Sequence, residues 1–273
     1  MAGRTPHADT PVDDHIVWGG HATVRIVLGG EAVLTDPVLR RRVMHLQRVV
    51  PLVEGLGNTL RAVLISHLHH DHLDLASLRM LPADAVLVVP IGARSALGRR
   101  TRQPIIELAP GETTELGALR VRATVAAHDG GRPGRRGVSA PAVGYVVEHA
   151  ATTVYFAGDT DIFPGMADIA PHLDLALVPV WGWGPTLGPG HLDPERAADA
   201  LVLLRPRIAV PIHWGTYRPL VGRGAPHPRA GAPETRFLQA AAVRAPDVAV
   251  RIIAPGEVLA LADAAPPDPA PLG

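Results

Sequence analysis

The chain has 273 residues, is 47% hydrophobic and 19% charged, and carries a formal net charge of +0 at pH 7. This length and composition provide a sizeable core and argue against a disordered chain, and the lack of a basic excess argues against a nucleic-acid partner. The chain contains no cysteine, which excludes disulfides and thiolate metal sites, so any metal must be bound by His, Asp or Glu.

The N-terminal sequence MAGRTPHADTPVDDH has no apolar core of the kind that a secretory signal has. No stretch reaches about 18 uninterrupted apolar residues, so we expect no transmembrane segment and a cytoplasmic protein. We expect residues 1–12 to be loosely ordered, residues 13–262 to form a single domain, and the Pro- and Ala-rich tail 263–273 to be disordered.

Between the terminal segments, the chain is rich in short predicted strands. Residues 15–37 contain three apolar segments separated by Gly-Gly pairs, which predicts three antiparallel strands in succession. A helix is predicted at 73–81, between buried strands at 61–66 and 85–90. The strands predicted after these are 104–108, a hairpin pair within 114–128, 142–149, 152–159, 173–180, 207–214, 248–254 and 256–262.

Three more helices are predicted, at 92–100, 193–204 and 233–243. The second has a defined start, because Asp193 is a suitable N-cap and Pro194 suits the first helical position. Both halves of the chain show antiparallel strands followed by strand–helix alternation. This pattern predicts two packed sheets with helices outside them.

The most distinctive segment is SHLHHDHLD at residues 66–74, directly after the apolar letters AVLI. His67, His69 and Asp71 are spaced two apart, and His72 follows at once. Positions two apart face the same side of a strand, and in a loop that leaves the strand they can converge on one point. Imidazole and carboxylate ligands suit zinc, and also manganese or iron. Because one tetrahedral ion takes fewer ligands than this segment offers, the cluster indicates two metal ions.

Three other polar residues stand at the ends of apolar strands or within them. His128 follows one predicted strand, Asp159 follows another, and His213 lies within a third. A lone histidine at a strand end is more often a structural residue. Together and in this order, the three residues predict the remaining ligands of a two-metal site.

With these residues in place, the sequence resembles the metallo-β-lactamase fold superfamily over nearly all of the predicted domain. The resemblance rests on TDP at 35–37, SHLHHDH at 66–72, His128, GDT at 158–160 and PIHWGT at 211–216. It implies an α/β fold of the α+β type. In this four-layer αββα sandwich, two mixed β-sheets pack face to face with helices outside.

The resemblance also implies a role for each ligand, since all seven positions hold the residue types that this superfamily uses. The first ion would be bound by His67, His69 and His128, and the second by Asp71, His72 and His213, with Asp159 as the bridge.

The expected cofactors are therefore two divalent metal ions, with zinc as the first choice and manganese or iron as alternatives. A hydroxide that bridges the two ions would attack a phosphodiester or a lactone/ester bond, so metal-dependent hydrolysis is the expected reaction. Asp71 would act as a catalytic residue, because it would bind metal and also orient the nucleophile. Asp36 matches an aspartate that orients a ligand histidine. We expect His70 to point away from the metals and His21 to have a structural role, with contact to a metal ligand as the alternative for His21.

Three segments resemble a narrower subgroup of metal-dependent hydrolases: GHATV at 20–24, LTDPVL at 34–39 and GHLDPERAADA at 190–200. This subgroup includes ascorbate-6-phosphate lactonase-like proteins and the phospholipase D-type enzymes that cleave N-acyl phosphatidylethanolamine. In the latter, a histidine just before a helix belongs to the active site, and His191 matches its position. The resemblance implies a small-molecule or lipid-like substrate, and also that the chain can form a homo-oligomer.

Five further residues are candidates for substrate binding. Arg132, Arg135 and Arg136 follow the ligand His128, and arginine forms paired hydrogen bonds with phosphate or carboxylate groups. The alternative is a solvated loop. Trp181 and Trp183 follow a predicted strand and would line an apolar pocket, with ordinary packing as the alternative.

Two other functions remain open at this point. A metal-binding sensor or scaffold would keep the ligands without turnover. An iron redox enzyme, such as a sulfur dioxygenase, would use one iron and only part of this ligand set. No nucleic-acid partner is expected for any of these functions.

Overall fold

The computed structural model describes residues 14–134, 139–184, 186–220 and 232–262. The terminal segments predicted to be loosely ordered or disordered lie outside these residues, as do Arg135 and Arg136. No helix within the described residues is long and apolar enough to cross a membrane.

Seventeen strands and four α-helices make up the described part of the chain. The strands are β1 (His15–Gly20), β2 (Thr23–Leu28), β3 (Glu31–Thr35), β4 (Arg42–Val43), β5 (Leu46–Arg48), β6 (Ala62–Leu64), β7 (Val86–Pro90), β8 (Ile105–Leu108), β9 (Thr113–Leu116), β10 (Leu119–Val125), β11 (Val143–His149), β12 (Thr152–Phe156), β13 (Leu175–Pro179), β14 (Ile208–Ile212), β15 (Tyr217–Pro219), β16 (Ala249–Val250) and β17 (Val258–Ala260). The helices are α1 (Leu75–Leu78), α2 (Arg94–Leu97), α3 (Pro194–Leu204) and α4 (Pro233–Arg244).

The strands form two seven-stranded sheets and one small three-stranded sheet. The first sheet has the order β17-β1-β2-β3-β6-β7-β8, the second β16-β14-β13-β12-β11-β10-β9, and the small sheet β15-β5-β4. Both large sheets are mixed. In the first, β3, β6, β7 and β8 are parallel, and in the second, β12, β13, β14 and β16 are parallel. The carboxyl ends of these parallel strands lie at one edge of each sheet.

Both large sheets contribute to one apolar core between them. Ile26 and Leu64 of the first sheet share a buried cluster with Tyr145 and Leu177 of the second. Burying each such side chain stabilises the fold by about 1.5–3 kcal/mol, so this shared layer holds the sheets face to face.

The helices cover the outer faces. Leu78 of α1 and Leu97 of α2 pack in a second cluster with the first sheet. Leu201 of α3 and Phe237 of α4 pack in a third cluster with the second sheet. The predicted four-layer αββα sandwich is therefore confirmed.

Several predicted elements are shorter in the structure, among them a helix and a strand of the first and second halves of the chain. The helix predicted at 73–81 is only α1, whose N-cap Asp74 accepts a hydrogen bond from Ser77 N at 3.0 Å. Pro82 disfavours helical backbone at Leu81, so the helix could not have continued to the predicted end. The strand predicted at 248–254 pairs only over Ala249–Val250.

The small sheet was not predicted. Its strands are two or three residues long, which is too short for an alternating pattern to stand out. β15 comes from the far end of the chain and pairs with β5, with Tyr217 opposite Arg48. This sheet carries the turn between β4 and β5, which becomes one wall of the site described next.

Candidate metal centre

The predicted ligands meet because they follow strands that run in the same direction. The segment after β6 carries the residues from His67 to His72, and the segment after β10 carries His128. Asp159 follows β12 and His213 follows β14. The carboxyl ends of these strands lie at the same edge of the sandwich, so the side chains of all seven predicted ligands form one cluster.

One part of the cluster consists of His67, His69 and His128, whose ligand nitrogens lie within 4.8 Å of one another. His69 Nδ1 is 3.2 Å from His128 Nε2. The fully buried His67 Nε2 has no hydrogen-bond partner among the described residues. A buried nitrogen without a partner is costly in a folded chain, and a bound cation would satisfy it.

The other part consists of Asp71, His72 and His213, joined by His21. His72 Nε2 lies 3.1 Å from His213 Nε2 and 3.8 Å from Asp71 Oδ2. The imidazole rings of His72 and His213 are stacked, with centroids 5.0 Å apart. Three histidines and a carboxylate at this spacing offer the nitrogen and oxygen ligands that zinc accepts.

Asp159 lies between the two parts. Its Oδ2 is 3.2 Å from His72 Nε2, 3.9 Å from His67 Nε2 and 4.0 Å from His128 Nε2. Its Oδ1 is 3.2 Å from His213 Nε2 but makes no hydrogen bond to any described group. One carboxylate therefore faces both sets of ligands, which fits a residue that bridges two ions.

Gly158 allows this placement of Asp159. Its φ is +62°, and a Cβ atom there would lie 2.7 Å from the Cβ of Ser66. A glycine is therefore required both by the left-handed backbone and by the close approach of the two strand ends.

A second layer of hydrogen bonds orients the ligand rings. Asp36 is buried, and its Oδ2 lies 2.7 Å from His72 Nδ1, while its Oδ1 accepts from Ser66 N at 2.7 Å. Ser66 Oγ is 2.9 Å from His67 Nδ1. Such contacts hold the other ring nitrogen toward the cluster.

Backbone carbonyls orient two further rings. His128 Nδ1 lies 2.9 Å from the carbonyl of Gly190, and His213 Nδ1 lies 2.7 Å from that of Trp181. Each Nδ1–H donates to its carbonyl, so Nε2 is left with a free lone pair directed into the cluster. Trp181, predicted to line the pocket, thus acts through its backbone, and its indole Nε1 donates to Gly184 O at 3.2 Å.

Burial sets the protonation of most of these histidines. It lowers the pKa of His69 to about 4, and it holds the pKa values of His67 and His213 well below the ordinary value. Burial would also lower the pKa of His72, but the carboxylates of Asp159, Asp36 and Asp71 outweigh it and raise that pKa. At neutral pH, His67, His69 and His213 are neutral, as metal binding requires.

The two carboxylates of the cluster are ionised. Burial would raise the pKa of Asp71, but His72 and His21 outweigh it and hold that pKa well below the ordinary value. For Asp159, burial is likewise outweighed, by His213 and His72. The cluster therefore presents negative charge and free lone pairs at its centre, and its residues fit two divalent cations.

His21 contacts a predicted ligand directly, which is the alternative to the structural role that the sequence favoured. Its Nε2 lies 3.0 Å from Asp71 Oδ2, and its ring centroid is 3.9 Å from that of His213. The residue is buried, with a φ of 54°. No spacing signal marks it in the sequence, because the β1–β2 turn brings it into the cluster from residues far from every ligand.

His191 lies at the exposed side of the cluster. Its Nε2 is 3.4 Å from Asp159 Oδ2, and its Nδ1 is 3.1 Å from the carbonyl of Gly188. Burial would lower its pKa, but the hydrogen bond to Asp159 outweighs that effect and raises it. His191 can therefore carry a proton at Nε2, facing the cavity that it lines.

The other candidate residues are placed as follows. Trp183 Nε1 donates to Asp71 Oδ2 at 3.0 Å, and Trp183 lines the cavity. The Nη1 of Arg132 donates to the carbonyls of Leu68 and Leu73, both at 2.8 Å, and so holds the loop that carries the ligands. His70 belongs to none of the ligand groups, and its Nε2 lies 3.3 Å from Pro133 O.

A cavity of about 490 Å³ opens beside the cluster. Asp71, Asp159 and His191 reach its surface, so a bound molecule would contact them. This volume lies within the range of small-molecule sites, roughly 300–1,000 Å³.

Comparison with known proteins agrees with this geometry. The sequence-family model described as the beta-lactamase superfamily domain matches residues 31–214 of this chain. A UPF0173 metal-dependent hydrolase from Nitratidesulfovibrio vulgaris is 31% identical over 254 residues, which cover 90% of this chain and 95% of that protein. An uncharacterized protein from Mycobacterium tuberculosis is 33% identical over 261 residues, which cover 89% of this chain and 67% of that protein.

A solved structure shows the same fold. It is a metallo hydrolase from the hyperthermophilic archaeon Ignicoccus hospitalis, with a TM-score of 0.66 and 23% sequence identity. The match covers 91% of this chain and 98% of the archaeal one.

Proposed function

The chain belongs to the metallo-β-lactamase fold superfamily. We propose that it is a metal-dependent hydrolase that uses two divalent metal ions, with zinc as the preferred metal. The observation that carries this proposal is the position of Asp159 between two sets of buried histidines. His67, His69 and His128 would hold the first ion. Asp71, His72 and His213 would hold the second, and Asp159 would contact both.

Bound at this site, the two ions would supply an activated water at neutral pH and stabilise negative charge on the substrate oxygen. The side chains of the chain itself supply orientation. Asp71 Oδ2 is held by His21 and by Trp183, each at 3.0 Å, at the surface of the cavity. Held in this way, Asp71 accepts a hydrogen bond from the reacting water and directs it toward the substrate.

His191 supplies the proton that the leaving group needs. Its Nδ1–H points to the carbonyls of Gly188 and Pro189, so the proton that can be transferred is the one on Nε2. Nε2 lies 3.4 Å from Asp159 Oδ2, which favours the protonated ring, and His191 lines the cavity. We assign to His191 the role of general acid in the cleavage of an ester, lactone or phosphodiester bond.

The test is a turnover assay on an aliphatic lactone, an aryl ester and a phosphodiester, with zinc, manganese or iron supplied in turn. Asp71→Ala should lower kcat/KM by about 10²–10⁴-fold on every substrate that the native chain cleaves. Asp199→Ala, which changes an exposed aspartate of α3, serves as the matched control and should keep the native rate. Turnover by the chelator-treated protein would contradict the proposal, and tight metal binding without turnover would favour a sensor or scaffold.

A further inference from the structure

The cavity has apolar walls on the side away from the ligands. One wall is the turn between β4 and β5, where Val43, Met44 and Leu46 line the cavity. Val43 and Leu46 are buried in a small apolar cluster of their own, which fixes the turn from behind. The wall is therefore a rigid part of the fold.

Trp183 and Leu187 form a second apolar wall. The two walls meet where the ring of His45 packs edge-on against Trp183, with centroids 5.0 Å apart. The hydrogen bond from Trp183 Nε1 to Asp71 fixes the indole, so that the apolar wall lies directly beside a predicted metal ligand.

Met44 is the most unusual residue of the first wall. Its side chain is 63% exposed, and its backbone is left-handed with a φ of 48°. The left-handed backbone conformation is uncommon for a residue with a long side chain. Methionine is flexible and adapts to apolar ligands, so Met44 is suited to contact a bound molecule at the mouth of the cavity.

The described residues that line the cavity do not favour an anionic substrate by their charge. Among the described residues that line it, the ionisable ones are histidines and aspartates, and no arginine is present. Arg132 is engaged with the carbonyls of Leu68 and Leu73. Among the described lining residues, a phosphodiester would find positive charge only on a protonated histidine such as His191, beside metal ions whose charge the carboxylates of Asp71 and Asp159 would offset in part.

From these observations we infer that the site acts on uncharged esters or lactones that carry an apolar chain, and that Met44, Trp183 and Leu187 bind this chain. This inference rests on the proposed hydrolase function. The reaction adds water across the acyl C–O bond. The oxygen of water bonds to the carbonyl carbon, the C–O bond to the alcohol breaks, and the leaving oxygen takes a proton, so that a carboxylic acid and an alcohol result.

The experiment compares the metal-loaded full chain on 4-nitrophenyl esters from acetate to octanoate and on bis(4-nitrophenyl) phosphate. For the native protein, kcat/KM should rise about fourfold for each added methylene until the chain fills the apolar walls. The aryl phosphodiester should be the poorest substrate.

Met44→Ser should flatten this dependence and lower the octanoate-to-acetate ratio of kcat/KM at least about fourfold, the effect of one buried methylene. Met80→Ser is the matched control. Met80 is 62% exposed and is not among the cavity-lining residues, so the ratio should stay at its native value.

Three results would overturn the inference while leaving the hydrolase proposal intact. They are a flat chain-length dependence in the native protein, equal ratios in the two methionine variants, and faster cleavage of the phosphodiester than of every ester. If the native protein showed no metal-dependent turnover of either the esters or the phosphodiester, the proposed function itself would be overturned.

Discussion

Asp71 is the residue on which the proposed chemistry depends most, and its position is set by two donors from different parts of the chain. His21 comes from the β1–β2 turn and Trp183 from the segment after β13, and both contact Asp71 Oδ2 at 3.0 Å. Losing one donor leaves the buried carboxylate free to rotate out of its position.

His21→Phe keeps an aromatic ring against His213 and Tyr217 but removes the donor to Asp71. We expect kcat/KM or the affinity for the second metal ion to fall about 10–100-fold, since residues that orient metal ligands have effects of this size. Kinetics and metal titration check this. His172→Gln, at a largely exposed histidine, is the control and should leave both quantities at the native value. If His21→Phe kept the native metal affinity and activity, His21 would have only a packing role.

Gly158 allows a second residue-scale prediction. Gly158→Ala would place a Cβ atom 2.7 Å from Ser66, whereas Gly165→Ala, also at positive φ, would meet nothing within 4 Å. Both variants strain the backbone, but only the first forces two strand ends apart. Gly158→Ala should therefore lose about 1–3 kcal/mol more unfolding free energy than Gly165→Ala, as measured by urea denaturation. Equal losses in the two variants would show that the strand ends yield without cost.

At the scale of the elements, helix α3 begins shortly after His191, the proposed general acid. Asp193 caps its N-terminus by accepting a hydrogen bond from Arg196 N at 2.8 Å, two residues after His191. Asp193→Ala should lower the unfolding free energy by about 1 kcal/mol. The control Asp199→Ala, also in α3, removes an exposed ion pair with Arg244 of α4 and should change the unfolding free energy by less than about 0.5 kcal/mol. Urea denaturation of the two variants measures this difference in unfolding free energy. Equal midpoints for the two variants would show that the Asp193 cap contributes nothing.

The elements that could be predicted from sequence are those with a long apolar period. β7 and α3 were predicted within one residue at each end, because their apolar positions and the Asp193 cap are local signals. β4 and β5 escaped prediction because they form a hairpin of very short strands, and β15 because its pairing with β5 joins residues far apart in the chain, such as Arg48 and Tyr217. The wall around Met44 therefore could not be found from sequence, although it borders the site.

The same distinction holds for the site as a whole. His67, His69, Asp71 and His72 were recognisable as ligands because they stand together after one buried strand. The place of His21 depends on a turn and on the packing of the two sheets, which no local pattern reports. Arg132 shows the converse, because its charge suggested substrate binding whereas its guanidinium donates to the backbone of the ligand loop.

For the whole molecule, the metal-free protein should lose stability as the pH falls from about 6.5 to about 4. Burial lowers the pKa values of His69, His67 and His213, so the unfolded chain binds more protons than the folded chain in this window. The contributions of His72 and His191, whose pKa values are raised, are already complete below the unfolded value and do not offset the loss.

Urea unfolding of chelator-treated protein at several pH values measures this effect. We expect a decrease of at least about 1 kcal/mol per pH unit across the window. A stability that is constant or rises as the pH falls from 6.5 would mean that these histidines are not buried in neutral form.

The most direct test of the two-metal hydrolase is a titration of the metal-free protein with zinc, in which bound zinc per chain and ester turnover are measured on the same samples. The account predicts no turnover without zinc and a rise that is complete only when two ions are bound to each chain. Turnover without metal, or full turnover with a single ion bound, would contradict it.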